Sequence, residues 1–340
     1  MAFSRSIPLI RAAATAPIRR WLSEQGIDPH PLFERSGLAW VPDDSPLLPV
    51  PLRGAVRLLV EAARASGPDA PFRIARDRGV FEIGPIGAMG LAGPTVRAGL
   101  HNIARNMPRH CTHEIFTVED CDGFVRVGDG WAANIGDPEA RHLVQQYVAA
   151  LVEGVCRAAG GTTQCISRVV MTPHPVAALN HLHPWLGESI HPAEGGRLEL
   201  DIPDETADRV MPDHSGAMTG APADEPWDTI GAGETLAENI GTLVASMLPF
   251  AFPSIDSVAS AAGVSARTLR RRLKEEGTTL SEVIDRTRAE LAIARLSGGT
   301  AQSLQGLAQE LGYAHQAALT RAVKRWTGRT PRHFKTGSLH

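Results

Sequence analysis

The sequence predicts an α+β N-terminal domain followed by an all-α domain with two helix-turn-helix units joined by a long helix. Three observations carry this reading. One unit of sequence is written twice in the last third of the 340-residue chain. The N-terminal part alternates amphipathic helices with short strand-like segments. The charge also changes sign along the chain: residues 231–340 hold 14 Lys+Arg against 9 Asp+Glu, a net +5, whereas residues 1–230 hold 20 against 28, a net −8. Such polarity is expected where one end faces phosphate and the other does something else.

From the N-terminus, residues 1–40 read as two helical pieces broken at Gly26-Ile-Asp-Pro29, and Pro42 to Pro51 as a proline-studded loop. Leu52 to Ala65 is an amphipathic helix, with Val56, Leu59, Val60 and Ala63 on one side and Arg53, Arg57, Glu61 and Arg64 on the other. Four glycines between Gly84 and Gly93 predict a tight buried turn or a helix cap. Thr95 is placed to cap a helix reaching about Met107. Ile115–Val118 and Gly123–Gly128 alternate like paired strands around the turn Asp120-Cys-Asp-Gly123. Glu139 to Ala159 is the strongest helix of this half, with Leu143, Tyr147, Leu151 and Val155 recurring every four residues. That stripe suits either the core or a dimer seam. Ile166–Met171 and Arg197–Ile202 read as two further strands, so the domain is α+β and not a doubly wound parallel sheet. Residues 212–233, rich in Gly, Ala, Pro and acidic side chains, read as a linker, and Glu234–Leu248 resumes as a helix. The predicted domains are therefore 1–211, a linker 212–233, and 234–340.

In the repeat, Ser254, Val258, Ala259 and Gly263 match Ser303, Leu307, Ala308 and Gly312 at a spacing of 49, and Leu269, Arg271, Leu273 and Lys274 match Leu319, Arg321, Val323 and Lys324 at 50. Ser254, Ser265 and Ser303 are helix caps, and Gly263 and Gly312 occupy turns where glycine takes a left-handed conformation at low cost. Leu269 and Leu273 pack the second helix of the first copy, leaving Arg267, Thr268, Arg270, Arg271 and Lys274 for a groove. In the second copy Leu319 and Val323 pack, while His315, Gln316, Thr320, Arg321, Lys324 and Arg325 remain. Arginine grips guanine and glutamine grips adenine bidentately, whereas lysines more often hold phosphates. A long helix over Ser281–Ser297, with Ile284, Arg288, Leu291 and Leu296 among its spaced positions, connects the copies and would set both on one face of the duplex, about one turn apart.

Residues ~234–336 resemble the arabinose-regulator (AraC/XylS) family of transcription regulators. The residues that carry the likeness are Thr268-Leu-Arg-Arg-Arg-Leu-Lys-Glu-Glu-Gly277, Arg288-Ala-Glu-Leu-Ala-Ile-Ala, Leu311-Gly312-Tyr313, Lys324-Arg-Trp-Thr-Gly328 and Thr330-Pro331. The chain departs from the family at Leu319 and Val323, where phenylalanines are usual, so a thinner second core is expected. It departs again at His315, which replaces a small or acidic cap. The N-terminal ~210 residues are more loosely similar to the effector-binding domain of one branch of that family. The stretches concerned are Leu48-Pro49 to Leu52 with Val56-Arg-Leu-Leu59, Gly87–Leu100 with Asn102-Ile-Ala-Arg105, and Pro184-Trp-Leu-Gly187 near Leu198–Pro203. The resemblance implies a small-molecule sensor that often helps dimerise, with double-stranded DNA, RNA polymerase, an effector and a second copy as expected partners. It names no ligand-binding residue.

Other chemistries find little support. His110-Cys111-Thr-His113 and His181-Leu-His183 are closely spaced pairs, but a metal needs further ligands converging in space. The four cysteines form no CxxC pair and no disulfide scaffold. No GxSxG, no HExxH and no phosphate loop following a strand is present, so neither catalysis nor a cofactor is expected. No apolar run approaches the ~20 residues that span a bilayer. Arg11, Arg19 and Arg20 interrupt the faintly signal-like N-terminus, and a cytoplasmic protein is expected. A metal- or thiol-responsive regulator and a ligand-independent DNA-binding protein are the alternatives.

Overall fold

The computed structural model describes residues 6–132, 136–161, 165–214, 227–231, 233–298 and 303–335. The chain divides into two compact units, residues 8–230 and residues 231–340 taken with the first seven. Most of the expected linker (215–226 and 232) lies outside the described residues, as do Gly299 and the first five residues of the chain.

The first unit opens with β1 (Leu9–Arg11), a short 3-10 turn, α1 (Ala16–Glu24) and α2 (His30–Arg35). β2 (Pro49–Pro51) runs antiparallel to β1, with Leu9 opposite Pro51 and Arg11 opposite Pro49. The stretch expected to be a loop thus ends in a strand, and its prolines are tolerated because a two-stranded ribbon consists only of edges. Next come α3 (Leu52–Ser66), α4 (Ala70–Arg76), α5 (Gly79–Glu82), α6 (Pro85–Leu91) and α7 (Val96–His110). The glycine run is mostly helix, not turn, with Gly84 at its N-terminal cap. A Cβ on Gly87 would meet the Val80 carbonyl oxygen at 2.0 Å, and one on Gly99 would meet that of Gly90 at 2.0 Å. These glycines let α6 touch its neighbours backbone to backbone. Thr95 caps α7 by accepting from the Ala98 amide at 3.3 Å.

β3 (Glu114–Cys121) and β4 (Phe124–Trp131) form the expected hairpin. They are followed by α8 (Pro138–Ala158), β5 (Arg168–Met171), α9 (His183–Leu186), β6 (Ile190–Pro192), β7 (Leu198–Pro203) and α10 (Asp204–Ala207). The five-stranded sheet has the order β3-β4-β7-β5-β6, antiparallel except between β5 and β6. β6 is too short for any periodicity to announce it. α8 packs against α3, α4 and α5, burying Leu143, Tyr147 and Val155, with Leu151 half-buried against the same cluster. The Tyr147 hydroxyl donates to the Ala14 carbonyl at 2.9 Å. The four-residue stripe is therefore core and not a dimer seam.

The second unit is all helix among its described residues: α11 (Leu236–Met247), α12 (Ile255–Ala262), α13 (Ala266–Glu275), α14 (Leu280–Ser297), α15 (Leu304–Glu310), α16 (Gln316–Thr327) and α17 (Pro331–Lys335). Reciprocal capping boxes start α11 (Thr235 with Glu238), α12 (Ser254 with Ser257) and α14 (Thr279 with Glu282). Ser265 and Ser303 cap α13 and α15. α12 packs on α13 and α15 on α16, with the 18-residue α14 between the pairs in sequence. The core around α16 gathers Ala292, Leu296, Leu307, Ala308, Leu311, Leu319 and Val323, with Tyr313, Trp326 and Phe334 packed on it. Aromatic side chains from α16 and from the unforeseen α17 thus supply bulk that Leu319 and Val323 lack.

No helix among the described residues is long and apolar enough to cross a membrane.

Candidate nucleic-acid interface

Two helices carry the cations singled out in the repeat, and each is set by a glycine turn. Gly263 ends α12 in the left-handed region at φ 65°, ψ 33°, and Gly312 lies between α15 and α16 at φ 68°. In α13, Leu269 and Leu273 are buried, so Arg267, Arg270, Arg271 and Lys274 emerge on the exposed side. Thr268 is half-buried, and its hydroxyl hydrogen-bonds Ser265 Oγ at 2.9 Å, so it first serves the cap. Arg271 pairs with Glu275 one turn on, at an exposed position where such pairs are worth little. Among the described residues no carboxylate pairs with Arg267, Arg270 or Lys274.

α16 repeats the plan with different side chains. Leu319 and Val323 are buried, while His315, Gln316, Arg321 and Lys324 are exposed, again with no carboxylate partner among the described residues for either cation. Thr320 is half-buried and its hydroxyl donates to the Gln316 carbonyl at 3.0 Å. Arg325 is turned back: it lies 2.6 Å from Asp285 of α14, which also accepts from the Trp326 indole at 3.0 Å. Of the expected contact residues, Arg325 is the one most committed within the fold. His315 takes the cap position without a side-chain hydrogen bond, and Gln305 supplies an acceptor for the Gln316 amide at 3.2 Å.

Three residues take positioning roles whose partners a reading of the sequence does not reveal. Glu276, just past α13, accepts from the Leu236 and Ala237 amides at 3.0 Å each, so one carboxylate closes the N-terminus of α11. Arg288 of α14 donates to the Leu311 carbonyl at 2.8 Å and lies 4.7 Å over the Tyr313 ring. Burial raises the Tyr313 pKa, with Arg288 pulling the other way. Asp285 holds both Arg325 and Trp326. All three act across 23 to 41 residues of sequence, where local pattern carries no signal.

Of the histidine candidates in residues 8–230, His181 packs with His142 and His174, its Nε2 3.0 Å from that of His142. Burial holds His110 down to about 3, with Arg11 adding to it, and burial also lowers His113 and His181. Burial pushes the Cys111, Cys156 and Cys165 thiols up, away from the reactive thiolate. No group of three His, Cys, Asp or Glu side chains that could hold a metal occurs among the described residues.

Comparison with known proteins places both units. A family described as the helix-turn-helix domain matches residues 258–337. A second, described as the arabinose-binding domain of AraC transcription regulator, N-term, matches residues 26–190. The chain is 27% identical to the HTH-type transcriptional regulator VirS of Mycobacterium tuberculosis over 342 residues, covering 96% of each. It is 34% identical over 93 residues to the HTH-type transcriptional regulator VqsM of Pseudomonas aeruginosa, covering 27% of this chain and 28% of that one. The crystal structure of transcriptional regulator CdpR from Pseudomonas aeruginosa aligns with a TM-score of 0.41 at 20% identity, covering 94% of this chain and 97% of that one. An arabinose-binding domain of the AraC transcription regulator and a helix-turn-helix domain are thus matched in that order along the chain, and the full-length relative VirS is an HTH-type transcriptional regulator.

Proposed function

We propose that this regulator reads DNA through two helix-turn-helix units, α12–α13 and α15–α16, joined by α14, and that a small molecule bound in residues 1–211 controls it. The observation that carries the reading is the pair of exposed cationic faces on α13 and α16, each opposite two buried apolar side chains. The assigned contacts are Arg267, Arg270, Arg271 and Lys274 in α12–α13 and His315, Gln316, Thr320, Arg321 and Lys324 in α15–α16. Thr268 and Arg325 act mainly by holding their helices. DNA and an effector are the partners, with RNA polymerase and a second copy as further ones, and the protein acts in the cytoplasm as a regulator and not an enzyme. The effector works by differential affinity for two states of the chain.

The test begins with a duplex selected from a random pool by the purified full chain. Arg270→Ala and Arg321→Ala should each weaken binding to that site by ~1–3 kcal/mol and relax preference at different base positions. Unchanged affinity of both variants at fixed salt would overturn the assignment.

A further inference from the structure

The first unit holds a cavity of about 220 Å³ between α8, the segment before β5, and α9, lined by Glu153, Cys165, Ile166, Pro184, Trp185 and Leu186 among others. Its exposed lining is more polar than apolar, with Ile166, Pro184, Trp185 and Leu186 giving it one apolar side, and one of its polar groups is unusual. Glu153 is only 2% exposed, and its Oε2 has no hydrogen-bond partner. Arg76 Nε stands 3.7 Å from that oxygen and Arg157 Nη1 stands 4.0 Å from Oε1, too far for hydrogen bonds. Burial raises the Glu153 pKa, while the two arginines oppose the shift. A buried carboxylate oxygen left in this state is costly unless a donor reaches it.

The opposite wall is held in place. Trp185 stacks on Phe72 with ring centroids 6.2 Å apart, lies 5.3 Å from the Arg76 guanidinium, and donates its indole N–H to Asp69 at 3.3 Å. Pro184-Trp-Leu-Gly187, singled out in the sequence for its family likeness, forms this rim. The charges narrow the ligand. The Arg76 and Arg157 guanidinium groups disfavour a cation, and a carboxylate anion has no proton to donate to Glu153 Oε2. What fits is a neutral molecule whose hydrogen-bond donor reaches Glu153 while its ring lies on the Trp185 and Leu186 side.

We propose that this cavity is the effector site and that it takes a small uncharged ring compound bearing a hydroxyl, which donates to Glu153 while the ring lies against Trp185 and Leu186. The proposal rests on the reading of the first unit as an effector domain. A site built around one buried acceptor rejects an analogue that lacks the donor, because the acceptor is then left unpaired.

Calorimetric titration of the full chain with phenol tests this, with toluene, benzylamine and benzoate as matched compounds. Phenol should bind, and each of the other three should bind roughly tenfold more weakly or not at all. Glu153→Gln should weaken phenol by a similar factor, and Leu186→Trp, which fills the cavity without touching the carboxylate, should abolish binding. Circular dichroism melts establish that both variants fold. No heat from phenol, equal affinity for toluene, or undiminished affinity in either folded variant would overturn the proposal, the first outcome meaning that the cavity holds water only. Gel titration of the same preparations against the selected duplex separates the two readings. Loss of phenol binding with DNA binding intact sinks the cavity alone, whereas phenol binding in a chain that never binds DNA sinks the regulator reading and leaves the cavity.

Discussion

At the scale of the residue, the turn of the second helix pair hangs on Arg288. Its guanidinium holds the Leu311 carbonyl and covers Tyr313, so Arg288→Ala should cost the second unit ~1–3 kcal/mol in a urea titration. Position 288 was visible in the sequence as a spaced position of the connecting helix, but its partners 23 and 25 residues on were not. A second pair of residues predicts a pH effect. Burial raises the pKa values of Glu114 and Asp129, which meet across β3 and β4, and for Asp129 the charge of Glu114 adds to the rise. The folded chain therefore retains a proton that the unfolded chain releases near pH 4. Stability from this source is present below that pH and is lost as pH rises through the folded values. The melting temperature should fall between about pH 4.5 and 7.5, and Asp129→Asn should flatten that fall. An identical slope in the variant would place the titrating group elsewhere. Neither carboxyl stood out in the sequence, because burial is a property of the assembled sheet.

At the scale of the element, helices were legible where a cap and a long apolar spacing coincide. α3, α7, α8, α12, α13 and α14 begin or end within a few residues of where their serines, threonines, glycines and hydrophobic spacing place them. β2, β6 and α17, of three to five residues each, were not legible, because so short a segment has no period and forms only against a partner. The α8 stripe could be read two ways because a helix buried on most sides and one with an exposed seam share the same four-residue spacing. Capping yields two predictions of opposite sign. Glu276→Ala strips the acceptor from two amides of α11 and should cost ~1–2 kcal/mol in the same titration. His315→Ser adds an oxygen at a cap with extended backbone and no side-chain bond, and should raise stability by ~0.5–1 kcal/mol. A lowered melting temperature for His315→Ser would show that the imidazole is held by contacts of its own.

At the scale of the whole molecule, the charge asymmetry sets how the chain meets DNA. The +5 of residues 231–340 acts locally, whereas the −8 of residues 1–230 opposes non-specific adhesion to polyanions. Lys274→Gln and Lys324→Gln should weaken binding evenly across sequences, each reducing the slope of log affinity against log salt by about 1. A change in base preference instead would move those lysines from phosphate to base edge. The division of labour between the two halves was readable from charge and repeat, but the cavity was not, since its walls come from α8, the segment before β5, and α9. The carboxylate of Glu276 has a mechanical consequence. α11 is the first helix after the segment joining the units, and it is tied to the end of α13 by that side chain, whereas α16 packs on α14. A pull along the backbone at Thr235 should therefore reach the end of α13 through this one side chain, and Glu276→Ala should cut that link while leaving the packing of α11 on α14 in place.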